Sequence, residues 1–270
     1  MHAINRLAMQ KHLYILTICF WVALFIPQPL QGQLNTSLGQ EALQSLTTGI
    51  DNTAIGFRAL QLNATASGNS ALGANALAHN AGGTENTAIG SGALFTNTNG
   101  AFNTASGYQA LVFNTSGRAN TATGDTALRT NTTGILNTAT GMAALWSNTG
   151  GSYNVGDGFG ALLSNINGSE NTAVGTYALL LTTSFQNTAI GSQALCSNGH
   201  GYSNTAVGYQ GLFSNGNGYS NTAVGYQGLV SNGNGSWNTA VGYQALLSNT
   251  GPTTIHSEDP SGAGNTATGF

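Results

Sequence analysis

Charge is nearly missing from this chain: only 5% of its 270 residues are Asp, Glu, Lys or Arg, and the formal net charge is −3. A typical soluble protein carries charge on about a quarter of its residues. So few cations cannot track a phosphate backbone, which excludes a nucleic-acid partner. Cysteine is as scarce, with Cys19 and Cys196 alone, too few for the disulfide framework of a small secreted domain. Proline occurs four times, as Pro27, Pro29, Pro252 and Pro260. The long stretch between is proline-free, as a hydrogen-bonded ladder requires, because proline has no N–H to donate.

Glycine, in contrast, is abundant with 39 copies. Its recurrence in closely spaced turns leaves no segment long enough to nucleate a helix.

Residues 1–32 read as a secretory signal: Arg6 and Lys11, an apolar run from Leu13 to Ile26, then Pro27, Pro29 and the small residue Gly32. The run is shorter than the roughly twenty residues a spanning helix needs. Cleavage near Gly32 is expected, giving a secreted or cell-surface product. Cys19 would leave with the signal, so Cys196 would have no intramolecular partner.

Everything after the signal is a repeat. Residues 204–220 read NTAVGYQGLFSNGNGYS and residues 221–237 read NTAVGYQGLVSNGNGSW. Anchoring on the first asparagine places units at Asn35, Asn52, Asn69, Asn86, Asn103, Asn120, Asn137, Asn154, Asn171, Asn187, Asn204, Asn221, Asn238 and Asn265. Eleven of the thirteen intervals are seventeen residues, one is sixteen and the last is twenty-seven. A fixed short period is the signature of a solenoid. The fold class expected is all-β, a parallel β-solenoid or β-roll of about 13 coils over residues 33–250. An irregular insert follows at 251–264, and residues 265–270 begin a further, incomplete coil with an open edge that more chain or a partner would cover.

Numbering each unit from its asparagine gives N-T-A-x-G-x-x-A-L-x-x-N-x-x-G-x-x. Each coil is expected to hold two short strands joined by two turns, with positive φ at the Asn–Gly turn, as in Asn131–Gly134 or Asn215–Gly218. Coils would stack at about 4.8 Å, placing like registers in ladders. Register nine is leucine in all thirteen complete units. Its invariance places it inside as a core ladder: Leu60, Leu77, Leu94, Leu111, Leu128, Leu145, Leu162, Leu179, Leu195, Leu212, Leu229 and Leu246. Strand alternation turns registers one, three and five inward and registers two and four outward. The outward pair defines a candidate contact stripe, half of it apolar: Thr53 and Ile55, Thr87 and Ile89, Thr172 and Val174, Thr188 and Ile190, Thr205 and Val207, Thr222 and Val224, Thr239 and Val241.

Units such as Asn86-Thr-Ala-Ile-Gly90 and Asn187-Thr-Ala-Ile-Gly191 resemble the head repeats of the YadA-like trimeric autotransporter adhesins. They are similar also to the N-T-A-I-G-Y-Q-A-L units of bacterial and phage surface fibres. The resemblance covers residues 35–250, with a longer period than those heads have. It implies a left-handed roll, a homotrimer, and a secreted adhesive or structural role.

Little in the chain suggests chemistry. Gly156-Asp-Gly-Phe-Gly160 could pass for a phosphate or calcium loop, but it fills the registers of A-x-G in other units and reads as a degenerate repeat. His79, His200 and His256 fall in different registers, against a metal site. Asp125 and Arg129 share a unit, with Arg118 in the turn before, the one place where a polysaccharide-cleaving site is conceivable; a solvated surface pair is the simpler reading. Six Asn-x-Ser/Thr sequons, at Asn35, Asn63, Asn114, Asn131, Asn167 and Asn234, are what so much Asn and Thr produces by chance. Tyr108, Tyr209, Tyr226 and Tyr243, each followed by Gln, form a row for packing or glycan contact.

The function expected is therefore a non-enzymatic surface repeat protein, a fibre element or adhesin head. It would need no cofactor, metal or small-molecule substrate; its partners would be copies of itself and a host surface or glycan. The alternative from another class is ice binding through the threonine ladder. Threonine at both outward registers occurs at Thr121 and Thr123, Thr138 and Thr140, and Thr266 and Thr268.

Overall fold

The computed structural model describes residues 34–249 and 264–269. The expected signal, the insert up to residue 263 and Phe270 lie outside the described residues.

The described residues from Asn35 onward form one compact unit, built as a stack of coils. Fourteen three-residue strands, from Thr36–Leu38 to Thr266–Thr268, form a single sheet in sequence order. All pairings are parallel and in register, Thr on Thr and Ala on Ala, as in Thr205↔Thr222 and Ala206↔Ala223. Successive coils thus lie one strand spacing apart, and the stack is about 60 Å long at 4.8 Å per coil. The long last interval does not break the sheet, because Thr239 pairs Thr266 directly. Val155–Asp157 pairs Thr138–Thr140 on one side and Thr172–Val174 on the other, so the glycine-rich variant is an ordinary strand of the stack.

Alternation holds along the sheet. The register-three alanines are buried, while registers two and four face outward. The leucine ladder is fully buried from Leu60 to Leu229, and Leu246 packs half-buried at its end. Small residues at registers three and eight leave room for one leucine per coil, so the core is a single file of leucines cushioned by alanines.

The second side of the coil is not the expected strand. Registers five, seven and nine carry positive φ while the residues between them do not, as in Gly124 (φ 135), Thr126 (φ 54) and Leu128 (φ 50). A chain that changes hand at every residue cannot extend, and it turns the leucine inward. Coils on this side still bond to one another: Leu60 N–H donates to Ala76 O at 3.0 Å and Leu62 N–H to Ala78 O at 2.9 Å. Leucine holds φ between 49 and 55 in all thirteen coils. The left-handed region costs an L-residue about 1–2 kcal/mol, and burying the side chain returns about 1.5–3. Burial wins, which fixes both the residue and its hand.

The Asn–Gly turn departs from expectation as well. Positive φ falls at registers five, seven, nine and seventeen, and among the described Asn–Gly turns only at Gly233 (φ 56), not at Gly134 or Gly218. Glycine stands at register fifteen for want of space: a Cβ on Gly134 would come within 3.0 Å of Asn131 Oδ1, Asn148 Nδ2 and Gly151 O.

Those atoms belong to two buried asparagine ladders. At register one, from Asn52 to Asn238, the backbone N–H and Nδ2 of each asparagine donate to Oδ1 of the one before, as from Asn120 to Asn103 at 3.0 and 3.1 Å. At register twelve, Asn131 Nδ2 donates to Asn114 Oδ1 at 2.8 Å and Asn148 Nδ2 to Asn131 Oδ1 at 2.8 Å. Both ladders also donate to the register-fifteen carbonyl, Gly134 O receiving Asn120 and Asn131 at 2.8 and 3.1 Å. A primary amide supplies two donors and one acceptor group, so these buried side chains can satisfy one another. Aspartate would stack like charges without donors.

The sixteen-residue coil, 171–186, divides the stack. Before it, the register-twelve N–H closes a local turn, as Asn165 to Leu162 O at 3.1 Å. After it, the same N–H crosses to the previous coil, as Asn215 to Ser197 O at 2.8 Å. Isolated parallel bridges then run Leu181, Ser197, Ser214, Ser231, Ser248. Losing one residue thus changes the corner in every later coil.

Candidate functional site

Three outer surfaces offer side chains to a partner. The first is the sheet face. Its aliphatic members point outward, Ile89 44% and Val241 41% exposed, with Val174, Ile190 and Val224 like them and Ile55 and Val207 half-buried. Thr53, Thr87, Thr172, Thr188, Thr205, Thr222 and Thr239 stand beside them, half-buried. In-register pairing makes this stripe continuous along the stack, with Ser106, Thr123, Thr140 and Asp157 as a polar interval at register four.

The second surface lies on the flanks of the sheet in the later coils. Tyr209, Tyr226 and Tyr243 stack at 5.3 and 5.2 Å with planes 21° and 5° apart. Their glutamines form a parallel chain, Gln210 to Gln193, Gln227 to Gln210 and Gln244 to Gln227, at 2.7, 2.8 and 3.0 Å. Tyr108 makes no ring contact with these three, so the expected four-tyrosine row is a three-ring ladder. On the other flank, Phe185, Tyr202 and Tyr219 stack at 5.4 and 4.9 Å. Trp237 meets Tyr219 edge-on at 4.8 Å. Stacked rings cover one another's faces and leave edges outside.

The third is the corner of registers ten and eleven in the earlier coils. His79 and Phe95 lie 4.3 Å apart, and the Arg129 guanidinium sits 4.9 Å from the Phe113 ring and 5.5 Å from Trp146. This grouping went unseen in the sequence because its members shift between two registers, at intervals of sixteen to eighteen residues.

Other sequence candidates are not brought together. Among the described residues the only ion pair joins Arg58 to Glu41 at 2.7 Å, and neither a salt bridge nor a hydrogen bond links Asp125 with Arg118 or Arg129. No group of three His, Cys, Asp or Glu able to hold a metal occurs among the described residues. His79 meets Phe95, His200 contacts Thr183 Oγ1 at 3.3 Å, and His256 lies outside the described residues. Three sequon asparagines, Asn63, Asn114 and Asn131, are rungs of the buried ladder and inaccessible in the folded chain. Cys196 is a buried thiol whose ionisation burial pushes upward.

At the sixteen-residue coil a depression of about 320 Å³ opens between Ser164, Leu181, Thr182, Thr183, Ser197, Gly199 and His200. It marks the missing residue of that turn.

Across known proteins, no family model, curated protein or solved structure matches the chain.

Proposed function

We propose that this chain is a non-enzymatic rod of a secreted or cell-surface fibre or adhesin head, associating with copies of itself through the threonine/aliphatic face. The observation that carries the reading is the threonine/aliphatic stripe on the outward face of an unbroken in-register sheet. A stripe about 60 Å long and two residues wide approaches the few hundred Å² that monomers leave exposed. Burying it between copies would cover Ile and Val and leave the aromatic flanks and turns outside. The resemblance of the units makes a trimer the expected assembly.

Sedimentation of the secreted chain at micromolar concentration tests this. The wild type is expected as a trimer, and Val207→Lys, Val224→Lys and Val241→Lys together should shift it toward monomer without loss of fold. A monomeric wild type, with lysine variants equally soluble and stable, removes the seam.

Ice binding is the second reading, favoured by one observation: threonine at register two repeats in register on twelve of the fourteen outward strands. A recrystallisation assay on the same samples separates the two.

A further inference from the structure

We propose that the register-ten and register-eleven corner between His79 and Trp146 binds an acidic polysaccharide, with Arg129 as its anion contact. This names a ligand for the adhesive reading and rests on it, but it uses a different surface from the self-association stripe. Five successive coils each contribute one planar side chain here: His79, Phe95, Phe113, Arg129 and Trp146. They form two contacting groups, His79 with Phe95 and Phe113 with Arg129 and Trp146, which together make a strip spanning about 20 Å at the coil spacing. After Trp146, register ten holds Leu163, Leu180, Cys196, Phe213, Val230 and Leu247 and register eleven mostly serine, so Phe213 is the one further aromatic and the strip belongs to the earlier coils.

Arg129 is held in an unusual way for a surface cation. Two rings lie against its guanidinium, yet among the described residues the guanidinium makes no ion pair and no hydrogen bond. Its N–H donors are therefore not used by the protein. Cation–π contact fixes the group, and the apolar flanks strengthen what an oxyanion gains by meeting it. The guanidinium edge fits a carboxylate or sulfate with two parallel hydrogen bonds.

The rest of the strip narrows the ligand. It is elongated and apolar, with Phe113 39% exposed beside the cation, and it offers one permanent positive charge. A nucleic acid would demand cations at phosphate spacing. The described residues contain only Arg58, Arg118 and Arg129, and Arg58 already pairs Glu41. A chain of sugar rings meets the requirements: C–H faces for the aromatics and a carboxylate or sulfate for Arg129. One such contact is weak, and several rods side by side would raise it by avidity.

The test is retention of the full secreted chain on three immobilised polymers: polygalacturonate, its methyl ester and a sulfated galactan. The wild type should be held by an acidic polymer and released from the ester; which acidic polymer holds it identifies carboxylate or sulfate. Arg129→Gln should weaken retention about tenfold, the loss of one charge-assisted contact. Trp146→Leu should weaken it similarly, Arg129→Lys less, and Arg58→Gln not at all, with melting curves confirming each fold. Equal retention of wild type and Arg129→Gln, or no retention of the wild type on either acidic polymer, overturns the proposal. Sedimentation of Arg129→Gln should match the wild type. A wild type that binds but sediments as a monomer would remove the self-association reading and leave this site standing.

Discussion

Thr182 stands over Asn165 at the register where neighbouring coils stack asparagine on asparagine, and Asn165 Oδ1 is the one buried side-chain acceptor left without a donor among the described residues. The threonine hydroxyl accepts from Ser184 N at 3.2 Å and, at 3.5 Å, from Asn198 Nδ2. It cannot supply the second N–H of an amide. A bare buried acceptor costs about 1–3 kcal/mol. Thr182→Asn should restore the rung and raise the melting temperature by about 2–4 °C per kcal/mol recovered. An unchanged or lower melting point would show that the missing residue of this coil, not its side chain, leaves the acceptor bare.

The converse substitution is Asn131→Ala. It removes the donor to Asn114 Oδ1 and the acceptor of Asn148 Nδ2. Gly134 O keeps its bond from Asn120 at 2.8 Å. One bare acceptor and one lost bond predict a loss of about 2–4 kcal/mol, against about 0.5 or less for exposed Asn99→Ala. Similar denaturation midpoints for the two would mean that the ladder contributes nothing beyond filling space.

Leucine at register nine allows strain and burial to be separated. Leu128→Gly relieves the left-handed backbone but leaves a cavity, so a net loss of about 2–4 kcal/mol is expected. Leu128→Asp should prevent folding, since a lone carboxylate would enter an apolar file. Arg129→Ala, next in sequence and outward, should cost about 1 kcal/mol or less. An aspartate variant melting like the wild type would turn the ladder inside out.

Much of this was readable from the spacing. The period gave coils, the threonine/aliphatic alternation gave the outer stripe, and invariant Leu60 to Leu229 gave the core. The hand of the backbone was not readable, because the registers that change hand carry unrelated residues: Glu41, Arg58, Thr126 and Tyr177 at register seven, and Asp51, Phe102 and Trp237 at register seventeen. Stacking between coils, not local propensity, sets their φ. Asn131 and Gly134 read as a turn, which they are, but their identities answer to the amide ladder and its crowding. The strip around Arg129 was hidden because Phe113 and Trp146 lie sixteen and seventeen residues away in adjacent registers.

Glycine at register five predicts a sharper effect than glycine elsewhere. Gly124 has φ 135, a conformation open to almost no other residue, and a Cβ there would meet Gly141 C and O at 2.6 Å. Gly124→Ala should therefore lose about 3 kcal/mol or more, since strain of about 1–3 adds to displacement of the adjacent coil. A soluble variant with an unchanged melting point would contradict the close stacking of these corners.

Cys196 tests the burial of the later coils without altering them. Its side chain is only 9% exposed, and burial raises its pKa above the ordinary thiol value. The thiolate is the reactive form, so alkylation of the folded chain at pH 8, in a Cys19→Ser background, should run far more slowly than in denaturant. The same shift has a sign for stability. The folded state favours the neutral thiol, so this contribution is complete below the unfolded value of about 8.5 and is lost as pH rises through the folded value. Melting temperature should fall above about pH 9 more steeply than in Cys196→Ala, the difference between the two isolating the contribution of the thiol. Alkylation as fast in the folded chain as in denaturant, or parallel pH profiles for the two proteins, would place this thiol at the surface and open the corner that the Ser197, Ser214, Ser231 and Ser248 bridges are seen to close.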